Sequence, residues 1–470
     1  MQKQCFNPFL PPWEYIPDGE PYVFDDRVYV YGSHDDAQGY VFCQNDYVCY
    51  SADVHDLSDW RYEGVIYKKT QDPYNPDGHM NLYAPDVTKG PDGRYYLYYV
   101  LDKVNVVSVA VCDTPAGSYH FYGYVRHADG SLLGARAGDE PQFDPGVLTE
   151  GDVTYLYTGL CVHGDASRSG AMGMTLGTDM LTLLDEPVIV VPGNCYGQGT
   201  DFEGHEYFEA ASIRKIGDVY YFIYSSTSMH ELCYATSKHP LKDFKYGGVI
   251  VSNCDVGIDT YKPGALPMNV TFGNNHGSLC LICDAWYIFY HRHTNGTWFS
   301  RQACMERIHI GSDGHIKQVE ITSQGAGAPL IGRGEYPATI ACNVFSVRGD
   351  EVVSNFKAGP LTFLPKITSD GREGDEDAGF VIIPNEMGVG FKYFECRNVS
   401  RITVKTRGYN RGVFEVKTQW DGALLGSIPI VSSNIWTDFT SEIAIPDGVH
   451  ALYFIYKGTN QATLGSFTLE

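Results

Sequence analysis

The sequence predicts an all-β protein, and three observations carry that reading. Its 35 Tyr, 23 Phe and 6 Trp fall in short alternating runs such as YYLYYV (95–100) and VYYFIYSS (219–226), the pattern of strands packed on a core. Gly, at 51 residues, together with Asn and Asp, punctuates these runs where turns are needed. Stretches with helical period are hard to find, and one strand–turn–strand pattern instead recurs five times.

Each copy of the repeat opens on an acidic residue or His, enters a strand, turns through Asp or Gly, and returns as an aromatic strand. The copies begin at Asp18 (DGEPYVFDDRVYVYGSHD), Asp86 (DVTKGPDGRYYLYYV), Asp144 (DPGVLTEGDVTYLYTG), Glu209 (EAASIRKIGDVYYFIYSS) and His276 (HGSLCLICDAWYIFYHRH). The leading residues lie 68, 58, 65 and 67 positions apart, and each precedes an aromatic of its second strand by 10 or 11. Five hairpins at this period, each with room for two further strands, predict a five-bladed β-propeller over residues 1–323. If the hairpins are the inner pairs of the blades, their leading residues ring one end of the channel. A single Asp before a strand is ordinary turn chemistry. Four acids in register form a ring of carboxylates.

After WFSRQACMERIHI (298–310) and HIKQVEITS (315–323) the rhythm breaks at the Gly/Pro-rich GAGAPLIGRGEYPA, which places a domain boundary near residue 324. Alternating strands follow, among them RITVKTRG (401–408), GVFEVKTQWDG (412–422) and HALYFIYKG (450–458), so residues 324–470 are expected to form a β-sandwich. The acidic segment SDGREGDEDAG (369–379) reads as a solvated loop.

Composition narrows the function. The 470 residues carry 34 Lys+Arg against 57 Asp+Glu, a net charge of −23, which excludes a phosphate-rich partner such as nucleic acid or an anionic membrane and suits a neutral substrate. No apolar run is long enough for a transmembrane helix, and the first twenty residues lack a signal-peptide core. Thirteen Cys, odd in number and scattered, fit a reducing compartment, so a cytoplasmic protein is expected. The sequence carries no reading of oligomeric state.

Three carboxylates around a pocket are what glycosidic bond cleavage requires. One acid of raised pKa protonates the leaving oxygen, a carboxylate base activates water or attacks directly, and a third acid tunes the first by repulsion. The stretches YIPDGEPYVFDDRVYVYGSHD, FDPGVLTEGDVTYLYTG, YFEAASIRK and YHRHTNGTWFSRQ resemble glycoside hydrolase family 43 over roughly residues 7–310. That resemblance implies an inverting five-bladed propeller acting on arabinose- and xylose-containing plant polysaccharides. It implies Asp18 as general base, Asp144 as the residue that positions and tunes, and Glu209 as general acid. It likewise implies Arg301 as a sugar-gripping arginine and His276 as a channel histidine, which in some members helps hold a central cation. No cofactor is then required, and a structural calcium in the channel is allowed. Two features depart from the family pattern. Asp18 is followed by Gly19 instead of Pro, with Glu20 close by as a rival base, and Tyr83 stands where many members have Trp. Asp86, in the ring but outside the triad, reads either as a substrate hydrogen-bonding residue or as a turn residue.

The remaining signals are weaker. Cys280 and Cys283 read as core residues, since no second pair stands at zinc spacing and no metal ligand set emerges. His291 and His293 read as strand histidines, and His34-Asp35 as a loop contact. No phosphate-binding loop or serine nucleophile elbow is present. GVGFKYFECRNVSRITVKTRG and GVHALYFIYKG resemble carbohydrate-binding module family 6, with Trp420 and Trp436 as candidate stacking residues, though a domain that only buttresses the propeller is the more economical reading. The expectation is an exo-acting glycosidase that releases terminal α-L-arabinofuranosyl residues from neutral plant-derived oligosaccharides. A β-xylosidase or bifunctional enzyme on the same scaffold, or a non-catalytic sugar-binding propeller, is the alternative.

Overall fold

The structure is a computed structural model that describes residues 3–37, 39–253, 255–258, 273–346, 364–371, 374–375 and 378–470. Among the described residues the regular elements are strands, apart from two single-turn 3-10 helices at Lys69–Gln71 and Ala338–Ile340. None of the described helices is long and apolar enough to cross a membrane.

All five predicted hairpins form, each as the first two strands of an antiparallel sheet whose strands pair in chain order. The sheets begin with Glu20–Phe24, Asp86–Lys89, Gly146–Glu150, Tyr207–Ile216 and Leu279–Ile282, and end with Asp56–Tyr67, His120–Tyr124, Val188–Pro192, Lys245–Ser252 and Arg301–Ile308. The first strands are the inner ones, and polar contacts join each to the next. Tyr22 Oη donates to Asp86 Oδ1 (2.7 Å), and the Val147 N–H donates to Asp86 Oδ2 (2.7 Å). The Ala210 N–H donates to Asp144 Oδ2 (3.2 Å), and the hydroxyls of Ser212 and Ser278 pair at 2.7 Å. A parallel bridge between Gly19 and Gly277 closes the ring, so the sheets are the blades of a five-bladed propeller. Close approach explains two glycines here. A Cβ at Gly146 would lie 2.3 Å from the Ala211 carbonyl oxygen, and one at Gly277 1.8 Å from that of Phe289.

The fifth blade has three strands among the described residues, and the N-terminal segment lies along its outer edge. The Phe9 N–H donates to the Ala303 carbonyl (3.2 Å), while the Asn7 side chain donates to the Met305 carbonyl and accepts from its N–H. Between blades, Tyr98, Tyr99 and Tyr157 are buried with their hydroxyls paired. Tyr99 meets both Tyr67 and Asp72 at 2.7 Å.

Beyond the propeller strands the chain forms two further sheets. One orders Leu330–Ile331, Met387–Cys396, Gly448–Thr459, Arg411–Lys417 and Gly426–Ile430, with Asn343–Ser346 also on Met387–Cys396. The other orders Lys366–Ser369, Gly379–Pro384, Gln461–Leu469, Val399–Gly408 and Ser433–Ile445, with Gly334–Pro337 also on Gln461–Leu469. Phe391, Phe394 and Phe454 from the first and Ile383, Val404 and Phe467 from the second share one buried cluster. Part of the acidic segment 369–379 lies outside the described residues. Trp420 packs edge-on to Phe345 (6.3 Å) beside a core cluster, which makes it a packing residue, not an open platform. Trp436 is half-buried with the Arg407 guanidinium over its ring at 4.6 Å. Cys280 is buried as expected, but Cys283 sits exposed in the hairpin turn, where the strand has ended.

The two parts are joined through a buried ion cluster. Lys392 Nζ, fully buried, meets Asp255 Oδ2 at 3.1 Å and Glu320 Oε1 at 2.8 Å, and Arg292 donates to the carbonyls of Ala341 and Cys342. Removing one partner of such a pair strands the other's charge out of water. Lys392→Ala is therefore expected to lower unfolding stability by about 3–5 kcal/mol, measured by urea denaturation. A loss below about 1 kcal/mol, the level of an exposed pair, would show that the joint carries little.

Candidate active site

The ring is set by unusual backbone at three positions. Asp18 (φ 59°) and Asp144 (φ 42°) adopt the left-handed conformation, which a short polar side chain tolerates better than most. Ala210 (φ 69°) does so without that help. It belongs to an irregularity in which Glu209 pairs with Ser225 while Ser212 pairs with Ile223, so that Ala210 and Ala211 oppose the single Tyr224 and the one extra residue re-aims Glu209. The hydrogen bond from the Ala210 N–H to Asp144 pins this bulge, so Asp144 holds the peptide unit directly after Glu209.

Asp18 is held ionised. Arg301 Nη1 lies 2.9 Å from its Oδ1, and the same guanidinium clamps Asp35 through Nε (2.8 Å) and Nη2 (3.0 Å). The Asp18 N–H donates to His291 Nδ1 (3.2 Å). Burial alone would raise the Asp18 pKa, but Arg301, helped by the neighbouring imidazoles, holds it well below the usual carboxylate range. Arg301 was expected to grip sugar. With 2% of its surface exposed and its guanidinium on Asp18, Asp35 and Cys43, it fixes Asp18. Asp35, expected as a loop contact, is the buried counter-ion behind it.

His276 lies at the centre. Its Nδ1 is 3.6 Å from Asp144 Oδ2 and 3.9 Å from Asp18 Oδ1, and its Nε2 is 3.7 Å from Glu20 Oε1. Burial opposes its protonation, but the three carboxylates prevail and raise its pKa to about 9. Glu20, the rival base, is fully buried and committed. Its Oε2 takes Arg214 Nη2 (2.7 Å) and Ser212 Oγ (3.1 Å), and Arg214 stacks on Tyr22 (4.3 Å). Asp86 is likewise fully buried, its oxygens taken by Tyr22, Val87 and Val147. The substrate-binding reading of Asp86 gives way to a structural one: it ties the first three blades. Tyr83 is half-buried, edge-on to Phe143 (5.3 Å), and its carbonyl accepts from Tyr47 Oη. Calcium takes six to eight oxygens, part of them from water. Among the described channel residues Glu20 offers one unpaired oxygen, facing His276 Nε2, and Arg214 already neutralises that carboxylate.

Asp144 and Glu209 are the opposite of Asp18. Burial raises Asp144 to about 7, against His276 and with Asp18. Burial, Asp144 and Asp18 raise Glu209 to about 8, against a hydrogen bond from the Asn274 side chain. Sequence reasoning passed over Asn274 and Arg214 and read Asp35 only as a loop contact. The two charged residues lie inside quoted motifs, but only three-dimensional pairing shows what they hold.

A channel mouth that keeps one carboxylate ionised and two protonatable has the equipment of a glycosidase. The chain belongs to glycosyl hydrolases family 43, whose family model matches residues 9–316, and it is a glycoside hydrolase. It is 66% identical to a xylosidase/arabinosidase of Thermoclostridium stercorarium, across 100% of this chain and 99% of that protein. It is 27% identical to a xylosidase/arabinosidase of Bacteroides ovatus, over 66% of this chain and 97% of the relative. Among solved structures, an arabinoxylan arabinofuranohydrolase from Bacillus subtilis in complex with cellotetraose matches with a TM-score of 0.52 and 20% identity, covering 98% of this chain and 97% of that one.

The protonation pattern has a consequence for stability. His276, Asp144 and Glu209 all have folded pKa values above their ordinary ones, 6.5, 3.8 and 4.5. Each therefore contributes stability that is complete below its ordinary pKa and is lost as pH rises through its folded value. The melting temperature is expected to fall between pH 6 and pH 9, by linkage, and the fall should be shallower in His276→Asn. A flat or rising profile in the wild type would contradict these protonation states.

Proposed function

We propose that this enzyme is an inverting, exo-acting glycosidase that releases terminal α-L-arabinofuranosyl residues from plant-derived oligosaccharides. Asp18 is the general base, Glu209 the general acid, and Asp144 the residue that tunes and positions the acid. The observation that carries the assignment is the opposite treatment of two buried carboxyls. Arg301 holds Asp18 ionised, while burial and Asp144 keep Glu209 protonated near neutral pH. Paired titratable groups pushed in opposite directions mark the base and the acid. In the reaction Asp18 takes a proton from water as the water attacks the anomeric carbon. Glu209 gives its proton to the departing glycosidic oxygen, and the bond to the aglycone breaks.

Release of β-xylosyl groups by the same machinery is the second reading, favoured by the two activities named for the 66% identical relative. Residues 1–323 are proposed as the catalytic propeller. Residues 324–470 are proposed as a β-sandwich resembling carbohydrate-binding module family 6, acting as a buttress. The packed Trp420, the Arg407-covered Trp436 and the Lys392 cluster support that role. A neutral substrate suits a chain of net charge −23, and the odd, scattered cysteines suit a reducing compartment.

The test is a panel of aryl arabinofuranoside, xyloside and galactoside, with wild type beside Glu209→Gln and Asp18→Asn. Arabinofuranoside should be cleaved fastest, and both variants should lose at least about 100-fold in kcat and kcat/KM. A folded, fully active Asp18→Asn enzyme would move the base to another residue. Proton NMR of the first-formed sugar should show the inverted anomer, and a retained one would overturn the mechanism. Asp144→Asn removes a charge that disfavours ionised Glu209, so the alkaline limb of kcat/KM should move to lower pH. A limb that stays or rises would show that Asp144 does not tune the acid.

A further inference from the structure

We propose that His205, Glu231 and Cys233 form a metal site in the fourth blade, outside the channel ring, that takes one zinc ion. Among the described residues they are the one group of three metal-ligating side chains whose donor atoms all lie within 4.8 Å of one another.

Strand register sets the first two ligands. Glu231 and Cys233 stand two apart on the strand Glu231–Ser237, so their side chains leave the same face. Leu232 between them joins the core cluster of Ile250 and Leu279, whereas Cys233 shares the other with Tyr224 and Phe244. His205 comes from the bend just before Tyr207–Ile216, the strand that carries Glu209. Its backbone is fixed on both sides: its N–H donates to the Phe202 carbonyl (2.8 Å), and its carbonyl accepts from Tyr224 Oη (2.8 Å). A Glu-x-Cys pair with a His 26 positions before the Glu follows none of the common zinc spacings, so only the folded blade reveals the cluster.

The donor atoms are already close to coordination spacing. His205 Nδ1 is 2.6 Å from Glu231 Oε1, which is 3.4 Å from Cys233 Sγ, and Sγ is 4.0 Å from Nδ1. Tetrahedral zinc, with bonds of about 2.0 Å to N and O and about 2.3 Å to S, holds its ligand atoms about 3.3–3.5 Å apart. Small side-chain rotations bring the nitrogen into that range from both neighbours. Neighbouring groups orient the ligands. Ser226 Oγ donates to Glu231 Oε1 (2.6 Å), Tyr246 Oη lies 3.9 Å from Cys233 Sγ, and the Tyr246 ring stacks on His205 at 4.8 Å.

The chemistry of the donors names the ion. Thiolate and imidazole suit zinc, whereas calcium and magnesium call for oxygen. A thiolate and a carboxylate together cancel the charge of a divalent ion, which matters because Glu231 and Cys233 are both buried. Coordination sends the thiol proton to the buffer, and the metal takes the place of the proton between His205 Nδ1 and Glu231 Oε1. Side-chain exposure is 35% at His205 against 6% at Glu231, so the ion and a water as fourth ligand reach the site past the imidazole. An ion here fastens the start of the Glu209 strand to the third strand of the same blade.

The test is cobalt(II) titration of the whole chain after stripping with a chelator, read by absorption. Cobalt occupies zinc sites and reports a thiolate ligand through a sulfur-to-metal charge-transfer band. The wild type should bind one equivalent with that band, and zinc should displace it. Cys233→Ser should lose the band, and His205→Gln should bind cobalt at least about 10-fold more weakly. Cys283→Ser removes an exposed thiol 3.4 Å from His55 Nδ1 and should change neither reading. Zinc should raise the melting temperature of the wild type and leave that of His205→Gln in place. If Cys233→Ser does not fold, His205→Gln decides, since its position is partly exposed. A wild type without the band, a band that persists in Cys233→Ser, or undiminished affinity in His205→Gln overturns the proposal.

Discussion

Burial of several carboxylates in one narrow channel is the constraint on which the rest of this structure depends. A desolvated carboxylate survives as an anion only beside a cation or strong donors; otherwise it keeps its proton. Asp18 and Glu20 touch Arg301 and Arg214 and stay ionised, whereas Asp144 and Glu209 pair with no guanidinium among the described residues and hold protons into the neutral range. His276 stands between the two groups and is itself protonated by them. The division of acid and base labour is thus a consequence of where two guanidiniums fall.

The propeller is what makes such crowding feasible. Each inner strand delivers one polar residue to the ring, and neighbouring blades hydrogen-bond to it: Asp86 joins three blades, and Asp144 pins the bulge of the fourth. The left-handed backbone at Asp18, Asp144 and Ala210 is sustained because these contacts over-determine it. Ring closure runs through the parallel bridge between Gly19 and Gly277, so the position after Asp18 takes part in packing as well as chemistry.

Much of this was legible in the chain. The recurrence of an acid or His ten or eleven residues before a strand aromatic located all five inner strands and the leading residues gathered at the ring. What register could not reveal is which side chains pair across blades. Arg301 reads as a ligand-gripping arginine until Asp18 and Asp35 are seen to occupy it. Asp86 has the same repeat position as Asp18, yet Tyr22 and Val147 consume it. Asn274 is silent in the sequence because an Asn pair beside a Gly is ordinary loop composition. The junction through Lys392 and Asp255 joins positions far apart in the chain, which no local pattern anticipates.

The central claim is that Glu209 fully and Asp144 in part hold protons just below neutral pH while Asp18 does not. Infrared difference spectroscopy of the carboxylic C=O stretch near pH 6.5, in water and in deuterium oxide, reads this directly. The account predicts that Glu209→Gln and Asp144→Asn each diminish a protonated-carboxyl band and that Asp18→Asn removes only carboxylate intensity. A protonated band lost with Asp18→Asn, or left intact by Glu209→Gln, would contradict it.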